Sequence, residues 1–390
     1  MEFRRYMSVL AVSGALLATQ VSAATASAPS KLVIGVDHLD PANQDEATGR
    51  VFEYTDFFSR SVKVHQGDML DFRFAPYIHN IALAKTEQFA ETLRPLNVPD
   101  SDDPPSVATG KPKIIVTGVR GGSGCGWTAP CEYTGGDDIK ISGNPQGTDW
   151  NVTVNASPGT YTYFCYLHPG MRGQVEVVGP EAATTSQSQN DAVAEQQFTD
   201  DRNQALRAEQ AANAVRYRGD EPGERTYFVK VGIAAADNHV SIDELLPNQP
   251  LNLVSGDRVL YIWADGHQGH SVTFPPDAVD SRGWDCATYT AAPPGPPPCT
   301  EPGEGPELIR DPGNAPSGTA LATPTQIVDA GVRLGRDFGL PTAIRWAVRI
   351  DDGTAFGTYA YNCTLHDWMK QYLNISPASE SGDRGDQPKF

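Results

Sequence analysis

Methionine and cysteine are scarce in this chain, at five and six of 390 residues, and two of the methionines, Met1 and Met7, fall in the first thirty. Long apolar runs are missing too. The stretch 7–17 is too short to cross a bilayer comfortably and no later segment is apolar enough, so no membrane span is expected. Basic residues are outnumbered 48 to 30 by acids, for a formal net charge of −18, which argues against nucleic acid as a partner and suits a basic or cationic one. No His-x-His pair occurs, and no tract is rich in Met or His. The last two absences exclude several kinds of metal-handling segment.

Arg4 and Arg5 precede the 7–17 stretch, which runs into the small residues Val21-Ser22-Ala23. That order reads as a cleavable export signal over residues 1–30, so the remaining chain is expected to be soluble, in a periplasmic or extracellular space. Its length suffices for two domains with separate cores.

Past the signal the chain repeats itself. Val64-His65-Gln66-Gly67-Asp68 followed by Leu70-Asp71-Phe72-Arg73-Phe74 reads like Val254-Ser255-Gly256-Asp257 followed by Val259-Leu260-Tyr261-Ile262, each a turn entering a strand. Each leads to a histidine, His79 or His270. Each copy closes with a Gly-Thr-Tyr strand, 159–165 and 357–363, ending in Cys165 and Cys363. The copies are expected over residues 31–180 and 226–376. Between them, 181–225 contains a stretch from Asp191 to Tyr217 without Gly or Pro, which predicts a partly helical linker. Residues 377–390 read as a polar, disordered tail. Short alternating strands bounded by Gly and Pro predict an all-β chain of two antiparallel β-sandwiches.

Gly/Pro-rich insertions, about 86–146 and 275–341, separate the histidine from the closing strand in each copy. Cys125 and Cys131 lie in the first and Cys286 and Cys299 in the second, and in an exported protein they most simply form two local disulfides. Two cysteines then remain, in Cys165-Tyr166-Leu167-His168-Pro169-Gly170-Met171 and Cys363-Thr364-Leu365-His366-Asp367-Trp368-Met369. Both segments follow the pattern CxxHxxM. Two of the three methionines beyond residue 30, Met171 and Met369, fill the same slot, with Met69 the third. One thiolate, two imidazoles and one thioether form a donor set suited to copper cycling between Cu(I) and Cu(II). Zinc gains little from the thioether.

On these motifs each copy resembles a blue-copper cupredoxin domain of the plastocyanin and amicyanin type, over roughly 31–178 and 226–375. The resemblance implies Greek-key sandwiches and two type 1 copper sites, His79, Cys165, His168 and Met171 in one and His270, Cys363, His366 and Met369 in the other. It implies an electron carrier that docks redox proteins through His168 and His366, rimmed by Tyr166, Leu167 and Pro169 or by Leu365 and Trp368. Asn80 and Ser271, each following the strand-end histidine, are expected to brace the ligand loops and to set different potentials. His267 reads as a loop histidine near the second site, and His38, His65 and His239 as bystanders. Copper delivery outside the cell is an alternative. Multicopper oxidases and copper nitrite reductases are also tandem cupredoxins, but the histidines that bind their further coppers have no counterpart here, so no enzyme activity is expected.

Overall fold

The structure is a computed structural model that describes residues 29–45, 49–75, 79–86, 123–143, 147–165, 168, 170–266, 268–276, 278, 315–334 and 344–377, with the backbone of three further strands, Leu96–Pro99, Ile114–Thr117 and Leu308–Arg310. Residues 1–28 of the expected export signal, Cys286, Cys299, His267, Tyr166, Leu167, Pro169 and residues 378–390 of the expected tail lie outside these residues.

The chain is all-β with one long helix, and the two copies share the strand order of both their sheets, the second copy carrying further strands. In the first, Lys31–Val36 runs parallel to Met69–Phe74, which pairs antiparallel with Asp149–Val154. In the second, Thr226–Ala235 runs parallel to Arg258–Ala264, which pairs antiparallel with Arg345–Ile350. The facing sheets repeat as well. Gly159–Phe164 pairs antiparallel with Arg172–Val178, and Gly357–Asn362 with Lys370–Ile375.

Two-residue alternation fixes which side chains enter each core. Asp149–Val154 buries Trp150, Val152 and Val154, and Arg345–Ile350 buries Trp346, Val348 and Ile350. Trp150 lies 5.7 Å from the ring of Phe72, and Trp346 lies 5.6 Å from that of Tyr261, one contact made twice. Burying an aromatic of this size removes roughly 150–250 Å² from water, so these pairs anchor the two sandwiches.

The helix spans Gln187–Ala212, begins at an Ser186–Gln189 capping box, and ends before the Tyr217 that sequence propensity placed inside it. The alternating Val215 and Tyr217 instead join the second core, and Arg216–Arg218 pairs with Thr226–Phe228. One face of the helix is held by charge: Asp201 pairs with Arg60 at 2.5 Å and Glu209 with Arg50 at 2.6 Å. Its small residues Ala205 and Ala212 pack in a third core with Phe52, Tyr54 and Phe58 of the first copy and Ile233, Val240, Ile242 and Leu246 of the second. Arg50–Glu53, a strand of the first copy, pairs antiparallel with Val240–Leu246 of the second, placing Glu53 opposite Ser241. The insertions also meet, since Ile114–Thr117 pairs antiparallel with Leu308–Arg310.

The Cys125–Cys131 disulfide closes a seven-residue segment, and the strand that starts at its last residue, Cys131–Tyr133, extends the sheet beside Asp149–Val154. Trp150 donates its indole N–H to the carbonyl of Cys125 at 3.1 Å. This bridge therefore ties an insertion to the core.

Candidate metal centres

Each CxxHxxM segment leaves its strand and is closed by two backbone hydrogen bonds. Cys165 donates its N–H to the carbonyl of Met171 at 2.9 Å, and Met171 to that of His168 at 3.2 Å. Cys363 donates to Met369 at 3.0 Å, and Met369 to His366 at 2.9 Å. The loop thus turns back on its strand, and the strand-end histidine arrives from across the sheet.

In the first copy His79 Nδ1 lies 3.0 Å from His168 Nδ1, and Cys165 Sγ lies 3.6 Å from the same nitrogen. In the second, His270 Nδ1 lies 3.1 Å from His366 Nδ1, and Cys363 Sγ 3.6 Å from it. Each trio of donor atoms falls within 4.8 Å. Those separations let one ion sit at roughly 2.0–2.3 Å from a thiolate and two imidazoles, the usual length of such bonds. Met171 and Met369 are both buried at the far end of their loops. Burial works against ionisation of Cys363, but His366 and His270 beside it hold its thiol well below the usual range, the form in which it ligates metal.

The residues after the strand-end histidines reach the cysteines. The side-chain amide oxygen of Asn80 lies 3.4 Å from Cys165 Sγ. Ser271 presents its backbone N–H to Cys363 Sγ at 3.3 Å, while its hydroxyl accepts from the N–H of Thr364 at 2.7 Å.

One expectation about exposure fails. His168 is buried, with Glu53 Oε1 standing 3.7 Å from its Nε2. His366 is partly exposed, with Trp368 at 5.4 Å and packed against the second core. The other histidines have structural roles: His38 stacks on Phe198 at 3.6 Å, and His65 Nε2 meets the carbonyl of Ala182 at 2.9 Å.

The residues that motif reading missed are acidic. Asp37, Glu53, Asp243 and Asp265 are all buried and lie on the outer, Nε2 side of the strand-end histidines. Asp37 accepts from His79 Nε2 at 3.1 Å, and Glu53 Oε1 lies 3.6 Å from the same atom. His270 Nε2 lies 3.8 Å from Asp243 and 3.9 Å from Asp265. Gln268 joins the two groups, donating to Glu53 Oε2 at 2.6 Å and, through its backbone, to Asp265 at 3.2 Å. Burial, followed by mutual repulsion, raises the carboxyls of Asp37, Glu53 and Asp243 above their ordinary range. The sequence shows Asp243 and Glu244 in the middle of Val240–Leu246, and only the structure shows that every residue of this strand is buried.

No protein-family model and no curated protein matches the chain. Among solved structures, a reduced auracyanin from Roseiflexus castenholzii matches 40% of this chain and 100% of its own at 16% identity, with a TM-score of 0.19. A copper-containing nitrite reductase from Thermus scotoductus matches 93% of this chain and 64% of its own at 10% identity, with a TM-score of 0.18. A blue copper oxidase from Nitrosomonas europaea matches 92% of this chain and 88% of its own at 11% identity, with a TM-score of 0.18. The expectation of no enzyme activity is corrected accordingly: two of these similar structures are copper enzymes, and the buried carboxylates offer donor atoms that a search for histidines alone passed over. Strand order and the twice-made sandwich agree on one all-β architecture for both copies.

Proposed function

We propose that this chain is an exported copper protein that carries electrons through two type 1 sites, one built from His79, Cys165, His168 and Met171 and the other from His270, Cys363, His366 and Met369. The observation that carries this reading is the recurrence of one donor geometry in two places, with the same 3.6 Å Cys–His separation and a buried methionine at the same offset. Coincidence does not produce a matched pair of His, His and Cys trios, one wholly buried and the other buried but for His366.

Copper held there supplies a one-electron couple. The chain's part is to keep the donors still. His79, His270 and both cysteines are buried against cores anchored by Trp150 and Trp346, so their positions differ little whichever charge the centre carries. Asp37 holds the ring of His79 by its Nε2–H, which leaves Nδ1 as the free electron pair. The partly exposed His366, beside Trp368 and Leu365, gives a redox partner its approach to the second centre. Small, transient contact at such a spot suits a partner that must leave quickly.

The test is the visible absorption and copper content of the Cu(II)-loaded chain beside its Cys165→Ser and Cys363→Ser variants. Two coppers per chain and loss of part of an intense thiolate-to-copper band in each variant are expected. A colourless copper protein, or a band that only one substitution affects, would refute the paired reading.

A further inference from the structure

The buried acids between the two copies are poorly matched by positive charge. None of Asp37, Glu53 and Asp243 is paired with a lysine or arginine among the described residues; their charged neighbours are histidines and each other. Buried carboxylates are ordinarily hydrogen-bonded, paired or bound to metal. Asp37 and Glu53 have donors, from His79 and Gln268. Asp243 is fully buried, yet neither of its carboxylate oxygens accepts a hydrogen bond among the described residues, and His270 Nε2 is equally unmatched.

Asp243 and His270 Nε2 face each other across a gap of defined size, beside Asp265 Oδ2, which accepts from the Ser241 hydroxyl. His270 Nε2 stands 3.8 Å from Asp243 Oδ1 and 3.9 Å from Asp265 Oδ2, too far for hydrogen bonds, and all three atoms fall within 4.8 Å. A triangle of those edges has its centre roughly 2.1–2.5 Å from each corner, which overlaps the lengths of bonds from a divalent transition metal to imidazole nitrogen and carboxylate oxygen. The backbone keeps this edge of the ring clear. Gly232, at φ +64° beside the bulge in Thr226–Ala235, would put a Cβ 2.2 Å from His270 Nε2 if it carried one. In the first copy the corresponding nitrogen is closed off by its hydrogen bond to Asp37.

We propose a third cation site between the copies, in which Asp243, Asp265 and His270 Nε2 bind a divalent transition-metal ion, with Asp37 and Glu53 adding negative charge from the first copy. The donor set of carboxylate oxygen and imidazole selects zinc-, manganese- or iron-type ions, or a copper unlike the two thiolate-bound ones. In one respect this rests on the copper reading above: His270 then serves two ions, through Nδ1 and Nε2, and its ring proton is released to solvent when the second ion binds.

The experiment uses Zn2+ on the copper-loaded chain, with metal content by elemental analysis. One zinc in addition to two coppers is expected. Asp243→Asn and Asp265→Asn should each lower zinc affinity at least tenfold while keeping the blue band, which also reports that they are folded. Zinc should shift the band that survives in Cys165→Ser and leave that of Cys363→Ser unmoved. Should the variants fail to fold, the wild-type melting temperature decides, because a specific ion must raise it as zinc concentration increases. No bound zinc, unchanged binding in both Asp variants, or an unmoved melting temperature overturns the site. If zinc binds and depends on Asp243 but no blue band exists, the copper reading falls and this site stands.

Discussion

The two centres carry the same four donor residues in the same loop geometry and differ in what stands behind them. His79 is clasped by Asp37 at 3.1 Å, whereas His270 faces Asp243 and Asp265 at 3.8 and 3.9 Å without a hydrogen bond of that kind. Cys165 has the side chain of Asn80 beside it; Cys363 has the backbone N–H of Ser271, whose hydroxyl is already engaged by Thr364. Duplication thus preserved what holds an ion and varied what tunes it. The lesson is physical: ligand identity fixes which ion is accepted, and the neighbours set charge, proton affinity and potential.

The sharpest form of this contrast is protonic. Burial alone pushes the imidazole of His79 down to about 3. Burial acts the same way on His270, but Asp265 and Cys363 outweigh it and raise the group to about 10. In the copper-free chain at neutral pH, ring NMR should therefore find His79 neutral and His270 charged, separated by several pH units. The signs for stability follow. The depressed His79 contributes stability that is present above about pH 6.5 and lost as pH falls towards about 3, while the raised His270 contributes stability present below about 6.5 and lost as pH rises through about 10. Overlapping titrations of the two rings would erase the distinction.

A smaller effect isolates the clasp. Asp37→Asn weakens the hold on the His79 ring and should lower copper affinity at the first centre by roughly 10–100-fold, the usual cost of losing a carboxylate behind a ligating histidine. In Cys363→Ser, which keeps only the first centre, chelator competition measures this directly. The same substitution in Cys165→Ser should leave affinity within about twofold, and an equal loss in both backgrounds would mean that Asp37 acts on the whole fold.

Legibility in the sequence followed spacing. The repeat, the sandwiches and both CxxHxxM loops are local patterns, and the structure assembles His79 with Cys165 and His168, and His270 with Cys363 and His366, as those patterns implied. What stayed hidden was made by contacts between distant segments. Glu53 lies far from either motif and reaches His168 only because Arg50–Glu53 joins the sheet of the second copy. Helix propensity likewise placed Tyr217 in the helix, but its burial against Tyr227 at 5.4 Å favours a strand there. The acids of Val240–Leu246 were visible as letters. Their burial was not, because alternation assigns every second residue to solvent and this strand is covered on both faces.

The finest comparison exchanges the residues beside the thiolates. A hydrogen-bond donor aimed at the cysteine sulfur brings positive charge to the centre and so favours Cu(I), raising the reduction potential, while a carbonyl oxygen turned toward it does the opposite; one such contact is worth about 0.5–1.5 kcal/mol, or ~20–60 mV for one electron. Ser271 supplies such a donor to Cys363 through its backbone at 3.3 Å, a contact that substitution of its side chain leaves in place. Asn80 instead turns its side-chain carbonyl oxygen, an acceptor, toward Cys165 Sγ at 3.4 Å, which disfavours the added electron. Asn80→Ser, in the Cys363→Ser background, should therefore raise the potential of the first centre by ~20–60 mV. Ser271→Asn, in the Cys165→Ser background, should move the second by less, because it must also break the hydroxyl contacts with Thr364. Redox titration of the two parent variants gives the starting gap, and the pair of substitutions shows how much of it belongs to these two side chains. Equal shifts at both centres would place the tuning in the backbone instead.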